Sequence, residues 1–483
     1  MSFKLKAELI SYINEWEKKI NAFIELKLNE DEGAGIISPA GEILQDDPEK
    51  QAAKSLLDGL PFAAADNIAV KCFLYTNGSR LLEQFHSPFS ATVVQKLEKA
   101  GGFVIGKTNL DEFGMGCTGS SALKQTHNPW DLNRVPGGSS GGGAAAVAAG
   151  IVPYALGIDS NGSVRQGAAF CGIPGLKSGY GSVSRNGLTA YASSLDAAGI
   201  FADNIARLRA VYAIVRGKDP MDQTSSGIPA AAQPLYPATT GIKKTIGVLM
   251  PQTAAPIAAP EAEVCRAFDL AKERLTAMGH KLVDIDIPSL KYSVPAFYTI
   301  AAAEAASNLT RFDGIRFGSR SAEAENPDEL IDKSREAGFG DEVKLQILLG
   351  SFVLRSGYQE QYFNRARKIR ETIKAAFVEL LGDSEYTKPG KIDAILMPVY
   401  PRRAFGIGEL SSFDQKAADV YTCCANLAGL PALSFPVSAE NGLPAGVQLL
   451  GRAFAEGVLL DIAEDFEKQF PFPHPAAYRA FWS

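Results

Sequence analysis

The sequence predicts a mixed α/β protein with one extended β-sheet. Three observations carry the prediction. Short apolar runs with the length of buried strands recur along the chain, separated by stretches with helical spacing of apolar residues. Residues 245–287 read as a complete β-α-β unit, with a strand at 245–250, a well-patterned helix at 262–278 and a second strand at 281–287. Between Pro136 and Leu176, 41 residues carry only two charges, Asp159 and Arg165, where the chain average would give about nine; this block is built for burial.

Taken in order, residues 4–29 read as an amphipathic helix, followed by an acidic connector at 29–47. The α/β pattern begins near residue 60, with a helix at 91–100, a short strand at 103–107 and a buried strand at 152–159. Residues 223–243, rich in Pro, Ala, Ser and Gly, read as a surface connection within one domain. After the β-α-β unit, residues 339–381 read as long helices interrupted at Gly350 and Gly357. Their basic face, Arg365, Arg367, Lys368, Arg370 and Lys374, reads as a solvated surface. Strands at 393–398, 432–437 and 447–450 follow, closed by a helix at 458–470.

Composition closes several doors. The chain has 483 residues, 46% of them hydrophobic and 21% charged, which fits a large buried core and excludes a disordered acidic chain. No run of 18 or more residues is apolar, and the N-terminus lacks the apolar segment of a signal peptide, so a cytoplasmic protein is expected, away from any membrane. Six Cys with one adjacent pair and no C-x-x-C argue against a disulfide framework and against zinc. A net charge of −6 argues against direct binding of nucleic acid.

The chemistry concentrates in the uncharged block, since residues 137–181 hold 13 of the 46 glycines. Gly137-Gly138-Ser139-Ser140-Gly141-Gly142-Gly143 runs into an alanine-rich helix, and Asp159-Ser160-Asn161-Gly162-Ser163-Val164-Arg165 repeats the Gly-Ser chemistry after the buried strand. Loops of this kind at a helix N-terminus present backbone N–H groups to an anion or a developing oxyanion. A phosphate loop would need a Gly-Lys-Ser/Thr ending, which is absent. A lipase-like elbow at Gly137-x-Ser139-x-Gly141 would need a serviceable histidine, and downstream stand only His280 at a helix end and His474 between prolines. A structural glycine turn accounts for one such cluster more readily than for two.

At this point the sequence resembles the amidase signature family, and within it the branch of tRNA amidotransferase A subunits. The resemblance rests on Asn128-Pro129-Trp130-Asp131-Leu132-Asn133-Arg134-Val135-Pro136 before the glycine loop, Ser163-Val164-Arg165-Gln166, Phe170-Cys171-Gly172 and Gly175-Leu176-Lys177. The branch is carried by residues 105–113, 303–309, 311–316 and 425–431. It implies the amidase-signature fold, one large mixed β-sheet flanked by helices on both faces. The whole of 1–483 would be one amidase domain, with an N-terminal helix at about 4–29 and the signature core at about 60–200. It also implies a Ser–cis-Ser–Lys site, with Ser163 as nucleophile, Ser139 as the bridging cis-serine, Asn161 and Gly162 in the oxyanion loop, and Asp419 as anchor for the amino group of glutamine. Such a chain would release ammonia from glutamine for a B subunit that activates Glu-tRNA(Gln) with ATP and Mg²⁺, with a C subunit tying the two together. No cofactor is implied in this chain, and tRNA would be met only through the B subunit.

The sequence departs from the family where the chemistry lies. The family's lysine, the neutral buried base, should stand in Ile-Pro-x-Ala-x-Lys-Asp-Asn-Ile, but here the segment is Leu60-Pro61-Phe62-Ala63-Ala64-Ala65-Asp66-Asn67-Ile68. Ala65 cannot accept a proton, and Lys71 matches a second, non-catalytic lysine. Asn161 replaces a glycine, and its side chain should crowd the oxyanion loop. Gly143 and Gly167 stand where Ser and Pro are usual, and the carboxylate-binding Lys-Arg-Arg-Ile reads Lys344-Leu345-Gln346-Ile347. Three readings stay open: a glutamine-dependent A subunit, a catalytically silent scaffold of the same complex, or a stand-alone amidase on another amide.

Overall fold

The computed structural model describes residues 5–28, 47–121, 123–232, 234–250 and 259–482. Eleven strands form one sheet: β1 Phe23–Leu26, β2 Pro61–Ala65, β3 Phe103–Thr108, β4 Tyr154–Asp159, β5 Gly175–Lys177, β6 Ala197–Ala202, β7 Thr245–Val248, β8 Lys281–Asp284, β9 Ala394–Pro398, β10 Ala432–Glu440 and β11 Leu443–Gly451. Their order across the sheet is β1-β3-β2-β4-β6-β5-β10-β11-β9-β7-β8. β2 runs parallel to β3 and β4, and β7 parallel to β8 and β9, as helical crossovers require; the remaining pairs are antiparallel. The β10–β11 hairpin closes through Asn441-Gly442, both with positive φ (52° and 76°), the turn whose twist suits a two-residue hairpin.

Alternate strand residues feed opposite faces. Phe62 and Ala64 join a core with Leu208, Phe268 and Phe466, while Ala63 joins a second core with Ile13, Val147 and Val164. A third core gathers Ile395 and Met397 of β9 with Phe297, Ile300 and Phe377. Helices therefore cover both faces of the mixed sheet.

Three expectations need correction. The N-terminal helix spans Ala7–Ile20, well short of residue 29: Asn21 adopts a left-handed conformation, and the Glu17 carboxylate accepts from the N–H groups of Ala22 and Phe23, turning the chain into edge strand β1. The acidic connector lies outside the described residues except for Asp47. Gly350 does not interrupt its helix, Asp341–Val353; a Cβ there would lie 2.0 Å from Ala302 O of the helix Ser293–Asn308, so the glycine permits a close crossing. Gly357 falls in the break before Arg365–Leu381. On that helix Arg365, Arg367, Lys368 and Lys374 are exposed, but Arg370 donates to Leu427 O, Ser194 Oγ and Ser194 O at 2.7–2.8 Å and ties two segments together.

Parallel pairing brings the C-terminal ends of β2 and β4 to the same edge, Ala64 opposite Leu156. β4 leads through residues 160–162 into the helix Ser163–Cys171. Ligand sites of parallel α/β segments form at such strand ends, where loops and helix N-termini converge.

Candidate active site

Ser163 opens its helix, and Ser139 lies in the glycine loop before the fully buried helix Gly141–Ala148. The Gly138–Ser139 peptide is cis. Ser139 Oγ donates to Ser163 Oγ at 2.9 Å, and both side chains are buried. Two residues hold the glycine loop: Gln166 Oε1 accepts from Gly138 N at 2.9 Å, and Asp111 N donates to Ser139 O at 3.1 Å. The Asp111 carboxylate also collects the N–H groups of Thr118, Gly119 and Ser120. A Cβ on Gly138 would lie 2.3 Å from Asp111 Oδ2, so only glycine fits there. Burial pushes the Asp111 carboxyl up to about 6.

Asp159 fixes the loop that leads into Ser163. It accepts from Gly162 N and Val164 N, and from Arg165 Nε and Nη2 at 3.1 Å each. Arg165, fully buried, goes on to Gln448 Oε1, Thr422 O and Asn426 Oδ1. Burial alone would raise the Asp159 carboxyl, but the Arg165 guanidinium holds it below the usual carboxylate range. This network redirects one expected group: the Gly162 N–H is spent on Asp159. The N–H groups of Asn161 and Ser163 have no partner among the described residues, and they are the donors left for an oxyanion. Gly162 itself has φ +111°, and a Cβ would lie 2.5 Å from Thr422 Cβ.

Ala65 ends β2, fully buried and in register with Thr108 of β3. Gly114 lies between this segment and Ser139: a Cβ there would lie 3.6 Å from Ser139 Oγ and 3.9 Å from Asn67 Nδ2. Thr108 Oγ1 and Asn67 Oδ1 are buried without a partner among the described residues, the condition that a missing donor leaves behind. Among the described residues no lysine bonds to Ser139. Lys71 is exposed. Lys107 Nζ reaches Asp66 and Leu74 O, and Lys177 Nζ donates to Ser178 O and Leu430 O, its amine lowered to about 7 by burial. Among the described residues Ser139 Oγ bonds only to Ser163.

A cleft of about 60 Å³ opens over Ser163, lined among others by Asn161, Tyr298, Glu342, Gln346, Lys416 and Asp419. Asn161 does not crowd the oxyanion loop; its Nδ2 turns to Asp419 Oδ2 at 2.5 Å, and Tyr298 OH donates to the same oxygen at 2.5 Å. Burial pushes the Asp419 carboxyl up to about 7, against the lowering pull of these two donors and of Lys416. Of the two positions where arginines were expected, Leu345 is 43% exposed while Gln346 is 2% exposed and borders the cleft. Gln346 Nε2 donates to Glu342, which also takes Ser412 Oγ at 3.0 Å and pairs with Lys416 Nζ at 2.6 Å. The structure thus brings together Ser139, Ser163, Asn161, Gly162 and Asp419, with Ala65 at the neighbouring strand end. Tyr298, Glu342 and Lys416 went unread in the sequence because they come from three distant segments with no motif of their own.

The family model for Amidase matches residues 8–460. The chain is 41% identical to the A subunit of glutamyl-tRNA(Gln) amidotransferase from Leptospira interrogans, over 97% of this chain and 95% of that protein. It is 44% identical to the protein of the same name from Carboxydothermus hydrogenoformans, over 86% and 84%. The crystal structure of the A subunit of glutamyl-tRNA(Gln) amidotransferase from Thermotoga maritima superposes with a TM-score of 0.77 at 37% identity, covering 99% of this chain and 95% of that one. The chain belongs to the amidase family, in the branch of glutamyl-tRNA(Gln) amidotransferase A subunits.

Proposed function

We propose that this chain works as the A subunit of a glutamyl-tRNA(Gln) amidotransferase whose glutamine-hydrolysing step is silent, so that the complex draws on ammonia from solution. The partners would be a B subunit carrying ATP and Mg²⁺ and a small C subunit, in the cytoplasm where tRNA is charged. The scaffold of the hydrolytic site is in place. What carries the reading is the end of the proton path: Ser139 Oγ bonds only to Ser163 among the described residues, and position 65 is alanine.

For amide hydrolysis the Ser163 hydroxyl must lose a proton as it attacks the carbonyl carbon, and Ser139 can take it only by passing its own to a base. With no amine behind Ser139 among the described residues, that transfer has no acceptor. Substrate binding is weakened at both ends as well. One oxygen of Asp419, Oδ2, is already taken by Asn161 and Tyr298, and Gln346 offers a neutral amide where a guanidinium would grip a carboxylate.

The test is reconstitution with B and C subunits of a relative and measurement of Gln-tRNA(Gln) formation. Ammonium chloride should support amidation and glutamine should not. Glutamine-driven amidation that disappears in Ser163→Ala would overturn the silent-site reading.

A further inference from the structure

Two residues that line the cleft above Ser163 carry a buried amide oxygen without a partner among the described residues. Gln346 is 2% exposed and borders the cleft; its Nε2 donates to Glu342, which leaves Oε1 buried without a partner among the described residues. Asn161 repeats the arrangement, with Nδ2 on Asp419 and Oδ1 buried and unpartnered. With both carboxylates ionised, the amide orientations follow from these bonds, because an amide oxygen could not face a carboxylate oxygen at 2.5 or 2.9 Å. Two carboxylates, Asp419 and Glu342, border the same space, and the one lysine among the cleft-lining residues, Lys416, is held by Glu342 at 2.6 Å.

A buried acceptor with no donor costs free energy until a donor arrives. The ligand that suits this lining donates hydrogen bonds, accepts few and carries positive charge or none. An α-amino acid amide fails on its carboxylate, which would meet Glu342 and Gln346 with no free cation beside them. We propose that the cleft binds the ammonium ion, or a primary ammonium group without a carboxylate, through Gln346 Oε1 and Asn161 Oδ1 backed by Asp419 and Glu342. The site stands on the cleft geometry alone. Its use, to gather the nitrogen that the complex transfers, rests on the functional reading above.

The experiment is calorimetric titration of the full-length chain with ammonium chloride at constant ionic strength. Methylammonium, tetramethylammonium, potassium and glutamine are run as separate probes. Saturable binding of ammonium and methylammonium is expected, with none of tetramethylammonium, which cannot donate, or of glutamine. Potassium matches ammonium in charge and closely in size, so equal potassium binding would overturn the donor argument, as would the absence of saturable ammonium binding. Gln346→Met keeps the length of the side chain and removes the acceptor, and should weaken ammonium about tenfold or more; unchanged affinity in a variant with a wild-type melting curve would refute the role of Gln346. The ion selectivity is read on the wild type, so it stands whether or not that variant folds. Ammonium binding by a chain that fails to associate with a B-type partner would uphold the site and remove its delivery role.

Discussion

Restoring the base should restore chemistry, and freeing Asp419 should then restore affinity, as two separable steps. Ala65→Lys places an amine at the buried end of β2, beside the space shared by Ser139 and Asn67, where desolvation favours the neutral form that accepts a proton. A positioned base contributes roughly 10²–10⁴-fold in kcat. Asn161→Gly removes the amide now bonded to Asp419 at 2.5 Å and opens that carboxylate to the ammonium group of glutamine. A hydrogen bond to a charged group is worth about 1.5–3 kcal/mol, or roughly 10–150-fold in KM. Steady-state ammonia release from glutamine, measured on the wild type, both single variants and the double variant, separates the two. Wild type and Asn161→Gly should stay at background, Ala65→Lys should turn over with a high KM, and the double variant should keep that kcat while KM falls. An equal KM in the Ala65→Lys and double variants would refute the claim that Asn161 occupies the anchor. Background activity in both would refute the claim that the serine pair is otherwise ready.

The Asp159–Arg165 pair is buried on both sides, so Arg165→Met should cost about 3–5 kcal/mol in urea unfolding by leaving a carboxylate without its partner. The Asp159 carboxyl is held below its unfolded value, so its contribution is fully present above about pH 4 and fades as pH falls through the lower native value; Asp159→Asn should flatten that acid limb. Asp419 has the opposite sign: its carboxyl rises from 3.8 to about 7, so the fold favours the protonated form and loses stability as pH rises between those values. Asp419→Asn should lack that slope when unfolding is compared at pH 5 and pH 7.5. Gly162→Ala, at φ +111° and 2.5 Å from Thr422 Cβ, should lower the melting temperature by several degrees, an alanine where left-handed backbone and packing both exclude one.

Much of the fold was legible because it follows from local pattern. The buried strands, the β-α-β unit and the C-terminal helix lie within a few residues of their expected bounds. The N-terminal helix was read too long because the apolar spacing continues through Phe-Ile-Glu-Leu, whereas the pairing of Phe23–Leu26 with β3 is a tertiary contact that periodicity does not carry. Gly350 was read as a break because a mid-helix glycine weakens a helix in isolation; its use, the approach of Ala302 O, belongs to a second helix 48 residues away in sequence. Asn441-Gly442 is itself a hairpin signal between the apolar runs at 432–437 and 447–450. In the site, the serines and Asp419 stood in motifs, while the cap on Asp419 joins residues 161, 298 and 419, a meeting that only the folded chain produces.

The departures from the family pattern divide by duty. Asp159, Arg165, Gln166 and Asp111 each hold several segments: Arg165 alone touches Asp159, Thr422, Asn426 and Gln448, and Asp111 joins residues 118–120 to the glycine loop. Losing any of them would leave buried groups unpaired and cost the fold directly. Positions 161 and 346 border the space above the serines and position 65 ends the neighbouring strand, where the side chains a glutaminase would need serve the substrate and its proton, not the neighbouring strands. Ala65 is fully buried without strain on β2, Asn161 Nδ2 finds acceptors within the cleft, and Gln346 bonds Glu342. On the proposed reading, replacing residues of the second kind leaves the protein folded and its surfaces intact while its first chemical step stops. A retained Ser139–Ser163 bond is then no sign of activity: the two serines are kept in place by the loop, the Asp111 contact and the Asp159 network, all of which the fold needs whether or not a proton ever moves.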